Sequence, residues 1–94
     1  MDYKGLVNYR FFTMADDSME PVVEENNTVL VDTAAEIEDG DVVLAQLHNS
    51  VFMCRRAYRS EDGYLLRADN SPHDTPPDDV LCIIGKVVKV YKDI

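Results

Sequence analysis

The side chain of this chain best placed to do chemistry is the hydroxyl of Ser18. It sits in the polar, turn-prone stretch Asp17-Ser18-Met19-Glu20-Pro21, between two runs that read as β-strands. A backbone bend at a strand end exposes a hydroxyl in the way serine nucleophiles are usually presented. A hydroxyl is a poor nucleophile at neutral pH and needs a neighbouring base to take its proton. A lysine does this when burial disfavours its ammonium form. The chain's lysines are Lys4, Lys86, Lys89 and Lys92, the last three in one C-terminal apolar run. His48 falls in a turn and His73 in a Pro- and Asp-rich loop. Neither has an identifiable partner, and both read as exposed loop histidines.

Other reactive groups carry less. His73, Asp74, Asp78 and Asp79 are metal-ligand types, but their spacing matches no zinc or calcium pattern. The cluster reads as a solvated loop, and no metal or cofactor is expected. Cys54 and Cys82 lie in strand-like apolar runs without Cys-x-x-Cys spacing, so both are expected in the core as small hydrophobes. Arg55, Arg56, Arg59 and Arg67 concentrate the positive charge and are expected to pair with carboxylates. The formal net charge of −9 argues against a direct grip on nucleic acid, which needs clustered cations. No apolar run approaches the roughly 20 residues of a membrane helix, and no basic-then-apolar leader opens the chain. A cytoplasmic location is expected, with no membrane or small-molecule partner.

The elements that must position Ser18 are strands. Residues 1–94 suit one small domain, and 46% hydrophobic residues suffice for one modest core. Phe11 to Met14 reads as a strand ending at Asp16-Asp17. Val29 to Val31 is a buried strand after an Asn26-Asn27 turn. Glu38-Asp39-Gly40-Asp41 is a tight turn into a strand from Asp41 to Leu47. His48-Asn49-Ser50 closes a hairpin into Val51 to Tyr58, and Glu61-Asp62-Gly63 closes another into Tyr64 to Ala68. Asp69 to Asp79, with three prolines and four aspartates, is a loop. Val80 to Lys92 is the longest apolar run, with Gly85 marking a bulge or bend. The one helical turn expected follows Ser18, with Pro21 early in it. The fold expected is all-β, with small, strongly twisted sheets or a partly closed barrel. Val42, Leu44, Leu66, Ile84 and Val88 are the expected core.

The order of these segments carries a resemblance. Asp17-Ser18-Met19, then Thr28-Val29-Leu30-Val31-Asp32, then Asp39-Gly40-Asp41-Val42-Val43-Leu44-Ala45, then Val51 to Arg59 is similar to the catalytic domain of LexA and the related self-cleaving phage repressors. The resemblance runs from Phe11 to Tyr91. It implies a serine-lysine dyad, with Ser18 as nucleophile and a lysine on the later strand as base. Counting forward from Asp39-Gly40 puts Cys54 at the lysine position, and counting back from Tyr58-Arg59 puts Arg55 there. Arg55 is favoured because Ala57 then falls at a core position of the same face. Neither is a lysine. Arginine stays protonated, and a thiol is too acidic and too short to be a good base. A protease-like but inactive site is therefore expected. Asp16 stands where the family often has glycine; it tolerates a turn, but a carboxylate cannot stabilise an oxyanion.

The resemblance also implies a role. The family joins an N-terminal helix-turn-helix domain to a C-terminal domain that dimerises and carries the dyad. The expectation is such a C-terminal regulatory and dimerisation domain, reaching DNA only through an N-terminal domain that this chain lacks. No Ala-Gly scissile pair lies between Met1 and Asp17, so self-cleavage of the family's kind is not expected. Homodimerisation is expected through Val80 to Tyr91, read as an edge strand. The alternatives are an active LexA-like or signal-peptidase-like serine peptidase and a stand-alone mutagenesis accessory subunit.

Overall fold

The computed structural model describes residues 8–92. Seven strands form it: β1 (Tyr9–Thr13), β2 (Thr28–Asp32), β3 (Val42–Leu47), β4 (Phe52–Ser60), β5 (Gly63–Arg67), β6 (Asp74–Thr75) and β7 (Val80–Tyr91). A 3₁₀ turn, Pro77–Asp79, precedes β7. All strand pairs are antiparallel, in one open sheet of order β1-β2-β7-β3-β4-β5-β6. The all-β expectation holds. Among the described residues no helix is long and apolar enough to cross a membrane.

The turns form where the sequence supplies positive φ. Asn26 (72°), Gly40 (91°), Ser50 (70°) and Gly63 (130°) each occupy that region at a chain reversal. The turn after Ser18 is not helical. It consists of two single closures, Glu20 N–H to the Asp17 carbonyl and Val23 N–H to the Met19 carbonyl, around a cis Glu20-Pro21 bond.

β3 lies at the centre and is buried on both faces: Val43, Leu44 and Ala45 are all inside. Successive strand residues point to opposite faces, so β3 feeds two cores. Leu44 packs with Met14, Met19, Val23, Val29, Val31 and Cys54. Val43 and Ala45 pack with Leu47, Ala57 and Leu66 on the other side.

β7 departs from the sequence reading. It lies between β2 and β3, and β1 and β6 are the outermost strands. β2 pairs with its Lys86–Tyr91 half and β3 with its Val80–Lys86 half. The ladder with β2 passes from Leu30↔Lys89 to Val31↔Val87, which bulges out Val88 and leaves it 47% exposed. Val88 is thus not a core residue, although Leu44 and Leu66 are buried and Val42 and Ile84 pack against the first core. Cys82, opposite Gln46 and beside another register shift, is exposed, whereas Cys54 is buried as expected. Gly85 is required by a close approach: a Cβ there would lie 2.5 Å from the Asp32 carbonyl oxygen of β2.

Three substitutions separate these roles in urea unfolding. Leu44→Ala is expected to cost about 2–5 kcal/mol. Gly85→Ala, which forces backbone apart, should cost about 1–3 kcal/mol. Val88→Ser should stay within about 0.5 kcal/mol, and a loss there matching that of Leu44→Ala would contradict the bulge.

Candidate functional site

Ser18 lies on the long connection between β1 and β2, which roofs the first core. Met14, Met19 and Val23 project from it and are buried. Its two ends are tied together: Met14 N–H donates to the Asn27 carbonyl at 2.9 Å and Asn26 N–H to the Met14 carbonyl at 2.9 Å. The buried Asn27 side chain accepts from Glu24 N–H at 2.9 Å. The far side is held by the segment after β5. Asn70 donates its backbone N–H to the Ser18 carbonyl at 2.8 Å and its side-chain amide to the Asp17 carbonyl at 3.1 Å. Asp69 N–H points to the Met19 sulfur at 3.4 Å.

This frame leaves Ser18 only 8% exposed, with its hydroxyl bonded. Ser18 Oγ donates to Asp16 Oδ1 at 2.6 Å, and Ser18 N–H donates to the same oxygen at 3.1 Å. The second bond is a local turn in which an aspartate accepts from the backbone two residues on. The Ser18 hydroxyl, Ser18 N–H and the Arg55 charge hold the Asp16 carboxyl below its ordinary 3.8, against the opposing effect of burial. A carboxylate so weakly basic accepts the hydrogen bond without taking the proton.

The strand register sorts the two residues read at the base position. Cys54 pairs with Leu44 and joins the core beneath Met14 and Met19. Arg55 pairs with Val43 and starts from the opposite face. Ala57 does share that face with Arg55, as the sequence suggested, but it belongs to the core away from Ser18. Arg55 Nη1 bonds the Cys54 carbonyl at 2.7 Å, and its charge still reaches Asp16. Burial pushes the Cys54 thiol up to about 12, Arg55 opposing and Asp16 adding to the rise. It is therefore an S–H at neutral pH.

Asp16, Phe12, Phe52, Cys54 and Arg55 line a cavity of about 30 Å³, room for one water at most. Phe12 and Phe52 also line an adjoining apolar trough of about 320 Å³ with Arg10, Phe11, Leu44 and Ile84. A comparable hollow of about 330 Å³ runs along β7 past Val22 and Lys86 and contains none of the Ser18 neighbours. The lysines are engaged elsewhere: Lys86 with Asp41 at 3.4 Å, Lys92 with Glu24 at 3.3 Å, and Lys89 over the Tyr91 ring. Lys4 lies outside the described residues. His48 and His73 are exposed, on a hairpin turn and a loop. Arg56 pairs with Asp69 and Arg67 with Asp74, while Arg59 bonds the Tyr64 hydroxyl.

A family model described as Peptidase S24-like matches residues 4–88. The chain belongs to the Peptidase S24-like family. It is similar to the LexA repressors of Staphylococcus aureus strains Newman, Mu50 and N315, each 25% identical over 81 residues, which are 86% of this chain. The chain spans 39% of the length of these relatives. In this Peptidase S24-like domain two contacts around Ser18 escaped the sequence reading, which noted Asp16 only as a turn residue in place of the family's glycine. The contact of Asp16 with the hydroxyl had a local signal, an aspartate two residues before a serine. Asn70 had none, since it is 53 residues from Asp17.

Two thiol measurements test this geometry. A disulfide reagent should titrate the exposed Cys82 rapidly and Cys54 only on unfolding. A thiol whose folded pKa is raised contributes stability that is full below its ordinary 9.0 and lost as pH rises from there towards about 12. Cys54→Val should remove that alkaline loss, and an unchanged alkaline slope would contradict it.

Proposed function

We propose that this is a catalytically silent Peptidase S24-like domain, serving as the C-terminal regulatory and dimerisation domain of a LexA-like or phage-repressor-like transcriptional regulator in the cytoplasm. One observation carries the silent site: the Ser18 hydroxyl spends its single proton on Asp16 at 2.6 Å, and the β4 side chain in the same core is a thiol. Cys54 stands at the position of the family's lysine in this reading. A neutral thiol cannot accept the serine proton, and Arg55, always protonated, cannot either. The 25% identity to LexA repressors supports the regulatory role. DNA would be reached through a separate N-terminal domain of the regulator.

A fluorophosphonate probe tests the first part. Ser18 should remain unlabelled at neutral pH, where labelling abolished by Ser18→Ala would establish an active enzyme instead. Pairing with a second copy is supported by β7, whose Val87–Tyr91 half has no strand on its β3 side among the described residues, since that ladder stops at Lys86. Open strand edges favour pairing. Two copies at −9 repel each other, so association should strengthen with salt. Sedimentation at tens of micromolar should show a dimer in moderate salt, and a monomer at every salt concentration would remove it.

A further inference from the structure

We propose that Asp16 is a second block on this site, independent of the missing base: its carboxylate holds the Ser18 hydroxyl and would hold any amine introduced from β4 as the ammonium ion. The inference rests on the silent-site reading and deepens it. Replacing the thiol by an amine alone should therefore not produce a nucleophile.

Three observations support it. Asp16 Oδ1 lies 2.6 Å from Ser18 Oγ and 3.1 Å from Ser18 N, so one oxygen collects both donors of the residue. A hydroxyl has one proton to donate, and this one is committed to Asp16. Asp16 and Cys54 line the same cavity of about 30 Å³, so an amine placed there from position 54 would have the carboxylate as a neighbour. An opposite charge within roughly 4–6 Å favours the charged form. Asp16 would thus raise the pKa of that amine, the reverse of what a general base needs. The carboxylate also forms part of the wall of that small cavity. Asp16 is a positioning residue here: it acts on the hydroxyl and the base, and would not itself attack a substrate.

The test compares Cys54→Lys, Asp16→Gly and Asp16→Asn with the two doubles Cys54→Lys/Asp16→Gly and Cys54→Lys/Asp16→Asn, by fluorophosphonate labelling rate against pH. Cys54→Lys alone should label only at strongly alkaline pH. The doubles should label at least about tenfold faster near neutrality, with the midpoint moved down by about one pH unit or more. The Asn double keeps the volume and removes the charge, so a shift there isolates the electrostatic part. Equal rates and midpoints in Cys54→Lys and both doubles would overturn the proposal, as would labelling of Asp16→Gly without a lysine. A folded Gly double that stays unlabelled at every pH would overturn it too. Labelling of the unsubstituted chain, lost in Ser18→Ala, would instead sink the silent-site reading.

A measurement on the unsubstituted chain covers variants that fail to fold. The Ser18 amide resonance should titrate at acid pH with a midpoint below 3.8, reporting protonation of the carboxylate it donates to. An amide insensitive to pH in that range would overturn the proposal.

Discussion

Met19 is the pin on which this domain hangs. Its side chain is fully buried beneath the β1–β2 connection, among Met14, Val23, Leu44 and Cys54, and its sulfur receives the Asp69 amide. Burying a side chain of that size is worth roughly 1.5–3 kcal/mol, more than a typical neutral hydrogen bond of the roof. The neighbouring residue inherits its position from this. With Met19 in the core below and Asn70 holding the Ser18 carbonyl, the serine has little freedom, and its hydroxyl meets whatever residue 16 provides. Here that residue is an aspartate. The fold thus holds the hydroxyl in place, and the local sequence sets what it bonds.

The chemistry turns on proton affinities. A serine hydroxyl gives up its proton only to a base of comparable strength held in line with it. On the silent-site proposal, Asp16, Cys54 and Arg55 each fall short as a base in a different way. Asp16 is in line but far too weak, its carboxyl lowered by the bonds it accepts. Cys54 is kept a neutral thiol by its burial, which outweighs the opposing Arg55 charge. Arg55 is charged whatever its surroundings. Desolvation disfavours a charged form, so burial keeps this cysteine a thiol. If the silent-site proposal holds, scaffold and reagent are separable in this domain: the roof and the two cores do not depend on a dyad.

The local part of this was legible in the sequence because it rests on local rules. Gly40 and Gly63 mark their turns by positive φ, and the runs between such turns are strands almost to the residue. Ser18 was found because polar turn residues interrupt two apolar runs. The long-range part was not legible. Nothing in Val80 to Tyr91 tells that it threads between β2 and β3, since a strand covered on both sides and a hydrophobic edge strand read alike. Bulges did the rest, because one extra residue reverses the facing of those that follow. That is why Val88 turned outwards. The choice between Cys54 and Arg55 was not legible for a related reason: Ala57 marks a buried face correctly, but β3 and β4 serve two cores, and composition alone does not say which lies under Ser18.

Everything above turns on one proton: the Ser18 hydroxyl is a neutral donor to Asp16. Neutron diffraction from deuterium-exchanged crystals near neutral pH observes that proton directly. The account requires a deuterium on Ser18 Oγ, lying towards Asp16 Oδ1, with a bare carboxylate and a deuterated Cys54 thiol. A deuterium directed from Oγ towards β4, or an Asp16 that carries one itself, would contradict it.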